Sequence, residues 1–177
     1  MDFGNPNPGV GILTINNLVL NGNLSLGSQP GGDLVVKGNF TRTGNFSPVG
    51  RAVFFNAASG DQTITGATTF DYLFIDTAAG SAVLANDITI SQVLNLTNGT
   101  VNTAANKVIL ASNATGALVR TNGYVNGNLQ RAINTGANTY NFAVGTSSGY
   151  TPASLAFTAV GGAGNITMSS ADAAGAN

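Results

Sequence analysis

The sequence predicts an all-β chain: a parallel β-helix (β-solenoid) followed by a partial antiparallel β unit. Three observations predict it. Apolar residues come in short alternating runs, such as Ile12-Leu13-Thr14-Ile15 and Val108-Ile109-Leu110, a pattern of strands rather than of helices. Gly and Asn interrupt nearly every longer stretch, and both are poor in helix interiors. The runs also follow one another too closely for βαβ units, whose crossovers need about a dozen residues or more.

Taken in order, the expected strands cover 12–15, 18–20, 24–26, 34–36 and 52–55, then 63–65, 72–75, 82–84, 88–90, 93–96, 100–102 and 108–110. Gly, Asn and Asp mark the turns between them. Leu18-Val19-Leu20-Asn21-Gly22-Asn23-Leu24-Ser25-Leu26 is echoed by Val93-Leu94-Asn95-Leu96-Thr97-Asn98-Gly99-Thr100-Val101, and Tyr124-Val125-Asn126-Gly127-Asn128-Leu129 repeats the theme. Asn-Gly tolerates positive φ, so each of these marks either a hairpin or a corner between solenoid rungs. Thr, Asn and Ser beside the aliphatics suit polar ladders along a solenoid axis. Rungs of roughly 20 residues, rising about 4.8 Å each, would stack six or seven deep into a rod of about 30 Å. A β-sandwich also accounts for the alternation; the irregular spacing and loose repeat favour the solenoid.

Near Asn122 the spacing widens. Strands are expected at 123–125, 129–133, 140–144 and 154–157, and Gly161-Gly162-Ala163-Gly164 turns into another at 165–168. The expected division is solenoid repeats over 1–121 and an antiparallel unit, truncated, over 122–177. The opening residues have neither the basic nor the apolar region of a signal peptide, and the last ones stop without a closing element. An internal piece or a processed product of a longer protein is therefore expected.

Composition excludes several functions. The 177 residues contain no His, Cys, Trp or Glu, and charged residues are 7% of the chain against about 25% in ordinary soluble domains. The side chains that most often do acid–base or nucleophilic work are missing or scattered, so no enzyme, cofactor or metal is expected. Net charge is −1, and Lys37, Lys107, Arg42, Arg51, Arg120 and Arg131 are widely spaced, which leaves no basic footprint for nucleic acid. No apolar run approaches the roughly 20 residues of a transmembrane helix. Hydrophobic residues still make up 43%, enough to bury a core.

A family resemblance rests on ordered motifs. Gly50-Arg51-Ala52-Val53-Phe54-Phe55-Asn56, then Asp61-Gln62-Thr63-Ile64-Thr65-Gly66, then Thr69-Phe70-Asp71-Tyr72-Leu73-Phe74-Ile75 resembles a "V-x-F-N-G … Q-x-I-x-G … F-x-x-L-x-I" series in large secreted proteins of Bacteroidota. Ala57 stands where the first motif has Gly. The series continues through Val83-Leu84, Ile88-Thr89-Ile90 and 94–103. Tyr124-Val125-Asn126-Gly127-Asn128-Leu129-Gln130-Arg131, Phe142-Ala143-Val144-Gly145 and Gly149-Tyr150-Thr151-Pro152 resemble a "Y-V-x-G-x-L-x-R … F-P-V-G … Y-x-P" module, with Ala143 in place of its Pro. The likeness covers most of residues 34–152. It implies an adhesin-like parallel β-helix exported by the type IX secretion system and displayed at, or released from, the cell surface.

Candidate sites are few. The carboxylates are Asp2, Asp33, Asp61, Asp71, Asp76, Asp87 and Asp172. A retaining glycosidase needs two carboxyl groups about 5 Å apart, and Asp71 and Asp76 are nearest in sequence. Asp33, Asp61 and Asp87, however, each follow a turn-forming Gly or Asn, where Asp serves local structure. No calcium loop of the D-x-D-x-D-G kind is present. Tyr72, Tyr124 and Tyr150 are candidate glycan contacts. Phe54, Phe55, Phe70 and Phe74 are expected to fill the coil interior, and Arg120 and Arg131 to bond backbone carbonyls near the junction. Asp76-Thr77-Ala78 resembles the Bacteroidota O-glycosylation motif, which makes Thr77 a candidate glycosylation site.

The expected function is therefore structural: an extracellular, adhesin-type stalk or filament subunit, partnered by its own copies head to tail or by surface glycans. The alternative is a carbohydrate-binding module of a secreted enzyme.

Overall fold

The computed structural model describes residues 11–172. Among the described residues, strands account for nearly all the regular structure, with a single 3-10 turn at Thr115–Ala117 and no α-helix. They wind into a parallel β-solenoid of about six turns. Each turn has three short sides.

The first side stacks Leu13–Ile15, Leu34–Val36, Ala52–Phe55, residues 72–75, residues 93–96 and Leu118–Arg120. Leu13 lies opposite Leu34, then Val53, Leu73, Leu94 and Leu118 in turn, which sets a repeat of 19 to 24 residues. At about 4.8 Å per turn the stack rises roughly 30 Å. The second side runs from Leu18–Leu20 through Phe40–Arg42 and Gln62–Thr65 to 82–84, 100–102 and 124–126. The third begins as the pair Asn23–Ser25 and Asn45–Ser47 and continues through 68–70, 88–90, 107–110 and 128–131. The extended segment Ile88–Leu110 is thus no straight strand. It wraps all three sides and returns above its own start, placing the Ala111 amide on the Ile90 carbonyl.

Alternation decides which way each residue faces. Leu34, Val36, Val53, Phe55, Leu73, Ile75, Leu94 and Leu96 point inward and are fully buried. Phe40, Phe55 and Phe70 meet edge to face with centroids 5.7 to 6.2 Å apart. Phe54 and Phe74 correct the expectation of four interior rings. Their positions fall on the outward half of the alternation, so they stack on each other outside the coil at 4.5 Å and are only half buried.

The Asn-Gly pairs are corners, not hairpins, because the strands around Asn21-Gly22, Asn98-Gly99 and Asn126-Gly127 pair in parallel with neighbouring turns. Gly99 shows why a corner needs glycine. Its φ is +75°, and a Cβ there would overlap Thr77 in the turn below.

Beyond residue 121 the parallel ladder runs on, since Tyr124–Ile133 lies parallel on Ile88–Leu110 and Val144–Thr146 lies parallel on 125–126. The antiparallel pairing expected of this region does occur, but later. Gly164–Met168 crosses residues 129–133 in the opposite sense, Thr139–Phe142 pairs with Ala153–Ala156, and Gly149–Tyr150 folds back on 145–146. Tyr140 and Phe142 are fully buried beneath this cap. The two ends therefore differ: among the described residues the first turn has a neighbour on one side only, whereas the last is crossed by antiparallel strands.

Candidate functional site

The inward columns explain the two arginines. Arg120 lies opposite Leu96, and Arg131 opposite Leu110, so both occupy core positions in the last turn, where the aliphatic columns stop. Arg131 is fully buried. Its Nη1 donates to the Asn141 carbonyl at 2.7 Å, and Nη2 to those of Ala114 and Thr115 at 3.1 Å. Burial lowers its pKa from the ordinary arginine value, partly offset by Tyr140, whose ring lies 5.2 Å away. Arg120 donates from Nε to the Gly123 carbonyl at 2.7 Å and from Nη2 to that of Asn122 at 3.0 Å. The expected pairing of both arginines with backbone carbonyls is what the structure shows.

Arg120 does more. Its guanidinium carbon sits 3.5 Å from the centre of the Tyr150 ring. Tyr124 supports that ring from 6.0 Å, with its own hydroxyl donating to the Thr146 carbonyl. Beside Arg120 and Tyr150 opens a hollow of about 450 Å³, lined also by Leu118, Ala143 and Pro152 and by the polar Asn141 and Ser154. The Ser154 hydroxyl donates to Asn141 Oδ1 at 2.9 Å, which turns the Asn141 amide nitrogen toward other partners.

Of the three candidate tyrosines, the fold brings Tyr124 and Tyr150 together. Tyr72 stands apart, half buried on the first side of the coil between Ala52 and Val93. Asn141 and Ser154 carried no sequence signal, because only the antiparallel pairing of their strands sets them beside Arg120.

Thr77, the candidate glycosylation site, lies within the extended segment Thr68–Leu84 and is fully buried. Its hydroxyl donates to the Gly80 carbonyl at 3.2 Å and Gly99 packs against it, so the folded coil does not present this oxygen to a glycosylating enzyme.

The carboxylates bind the turns to one another. Asp33 accepts the Ala52 amide, Asp61 the Ser81 amide and Asp87 the Lys107 amide, at 2.8 to 3.0 Å and in each case one turn onward. Asp71 accepts the Gly50 amide at 2.6 Å and the Ser91 hydroxyl, and Asp76 accepts Asn98 Nδ2 at 2.6 Å. Asn39 accepts the Thr63 amide of the turn onward and Asn86 the Gly66 amide of the turn before, each at 2.8 Å. Asp2 lies outside the described residues. Among the described residues no group of three or more His, Cys, Asp or Glu side chains is placed to hold a metal, and no helix is long and apolar enough to cross a membrane.

No protein-family model matches the chain, and no match was found among curated proteins or solved structures.

Proposed function

We propose that this chain is a structural, adhesin-type extracellular protein, a segment of a surface stalk or filament. One observation carries the reading: six turns stacked in parallel, joined by backbone ladders and again by Asp and Asn side chains that each reach into the next turn. Such a coil resists extension along its axis because the ladder bonds joining successive turns run in that direction. The ordered resemblance to secreted Bacteroidota proteins supports export through type IX secretion and display at the cell surface. The function is mechanical rather than enzymatic.

The first turn supplies a route to assembly. Leu13 and Leu18 donate their amides to the second turn and Ile15 and Leu20 accept from it, so Thr14 and Val19, each between one such pair, direct their backbone groups the other way. Val19 is 66% exposed. A second copy presenting to this edge the outer edge of its cap strand Gly164–Met168, which pairs on one side only among the described residues, would extend the stack head to tail. Electron microscopy of the purified chain over rising concentration tests this, with filaments of regular axial repeat as the expected result. Val19→Pro removes an outward amide without touching a bond between turns, and should abolish filaments while leaving the fold intact. Monomers alone at high concentration would refute assembly.

The second reading, a carbohydrate-binding module, is favoured by the hollow beside Arg120, Tyr124 and Tyr150.

A further inference from the structure

We infer that the hollow in the cap binds an acidic sugar, a uronate-type residue of an anionic glycan. This deepens the carbohydrate-binding reading and rests on it; the structural reading stands independently.

Three features point to an anion. Arg120 spends Nε and Nη2 on carbonyls, which leaves Nη1 for a ligand. Its charge has no carboxylate within ion-pair distance among the described residues, where the pair formed is Lys107 with Asp87. No acidic side chain lines the hollow. A guanidinium with no carboxylate partner beside a neutral wall attracts negative charge, and its free Nη1 can donate a charge-assisted bond to a carboxylate oxygen.

Two further features point to a sugar. The Asn141 amide nitrogen remains available because Ser154 holds Oδ1, so amide and hydroxyl together offer donors and acceptors to ring hydroxyls. Leu118, Ala143 and Pro152 give the lining apolar surface against which the C–H face of a pyranose can lie. A volume of about 450 Å³ falls in the range of roughly 300–1,000 Å³ usual for small-ligand sites. The outer Phe54 and Phe74 rings are the weaker platform for sugars, since they stack face to face and turn their faces to each other.

The test is calorimetric titration of the full chain with a galacturonic acid trisaccharide, a neutral galactose trisaccharide and a short peptide ending in a free carboxylate. The uronate should bind at least about tenfold tighter than either of the others and weaken as salt screens the Arg120 charge. Asn141→Asp and Ser154→Asp place negative charge at exposed positions of the rim, and each should weaken uronate binding by about tenfold or more while the circular dichroism spectrum stays unchanged. Equal binding of the neutral sugar overturns the acidic specificity and leaves the carbohydrate reading standing. Binding of none of the three sinks both, and a peptide that binds as well as the uronate overturns the sugar assignment.

Discussion

Gln62→Leu is the sharpest probe of how the coil is held together. Gln62 is fully buried on the second side of the third turn. Its Oε1 accepts the Ala57 amide at 3.0 Å, and its Nε2 donates to the carbonyls of Val36 at 2.8 Å and Gly38 at 2.7 Å. Leucine keeps much of the volume and removes all three bonds. The losses are unequal. The Val36 carbonyl still accepts the Asn56 amide at 3.1 Å, and Gly38 is half buried, so water can reach its oxygen. The Ala57 amide has neither remedy, since that residue is 3% exposed. One orphaned buried donor costs about 1–3 kcal/mol, and two further lost bonds cost about 0.5–1.5 kcal/mol each. Against a gain of about 1 kcal/mol from burying apolar surface, the net destabilisation should be about 1–5 kcal/mol. Urea unfolding followed by far-UV circular dichroism measures it, with an unchanged m-value confirming that both variants unfold alike. A loss below about 0.5 kcal/mol would show that the bonds of Gln62 do not staple the turns.

Other expectations follow from particular contacts. Phe40→Ala should cost about 3–5 kcal/mol, because Phe40 is fully buried among three rings, whereas Phe54→Ala on the outer face should cost less than half as much by the same urea titration. Gly99→Ala should cost about 2 kcal/mol or more, from its positive φ and the overlap with Thr77; the equivalent change at Gly22, where a Cβ meets nothing, should cost under about 1 kcal/mol, and the difference is read as the shift in thermal midpoint. Arg131→Met should remove about 2–4 kcal/mol and raise hydrogen exchange across residues 139–156, since the Asn141, Ala114 and Thr115 carbonyls lose their donors; Arg131→Lys should not restore it, because a compact ammonium lacks the fork that reaches both sides.

Strand positions were legible wherever two apolar residues alternate, as in Leu18–Leu20, Leu34–Val36 and Ala52–Phe55. Phe40–Arg42 and Asn45–Ser47 escaped the sequence because each holds a single apolar residue, too few to show a period. They are strands because turns on either side offer them backbone partners. The interior rings were legible by type but not by direction: Phe55 and Phe54 are adjacent and identical, and only the pleat sends one inward and the other out. Tyr150 of the hollow and Tyr124 beside it could be singled out from sequence, while Asn141 and Ser154 could not, since neither residue is unusual until the cap folds.

The sequence by itself determined that this protein is all β, that its turns fall at Gly, Asn and Asp, and that its repeat is close to 20 residues. Those are local properties, written in alternation and in residues that tolerate positive φ. Tertiary structure alone decided that the Asn-Gly pairs are corners, that the carboxylates join successive turns, and that two arginines close the core where its columns end. Each of these depends on which backbone lies opposite which, and partners some 20 residues apart in the chain meet only once the coil is wound.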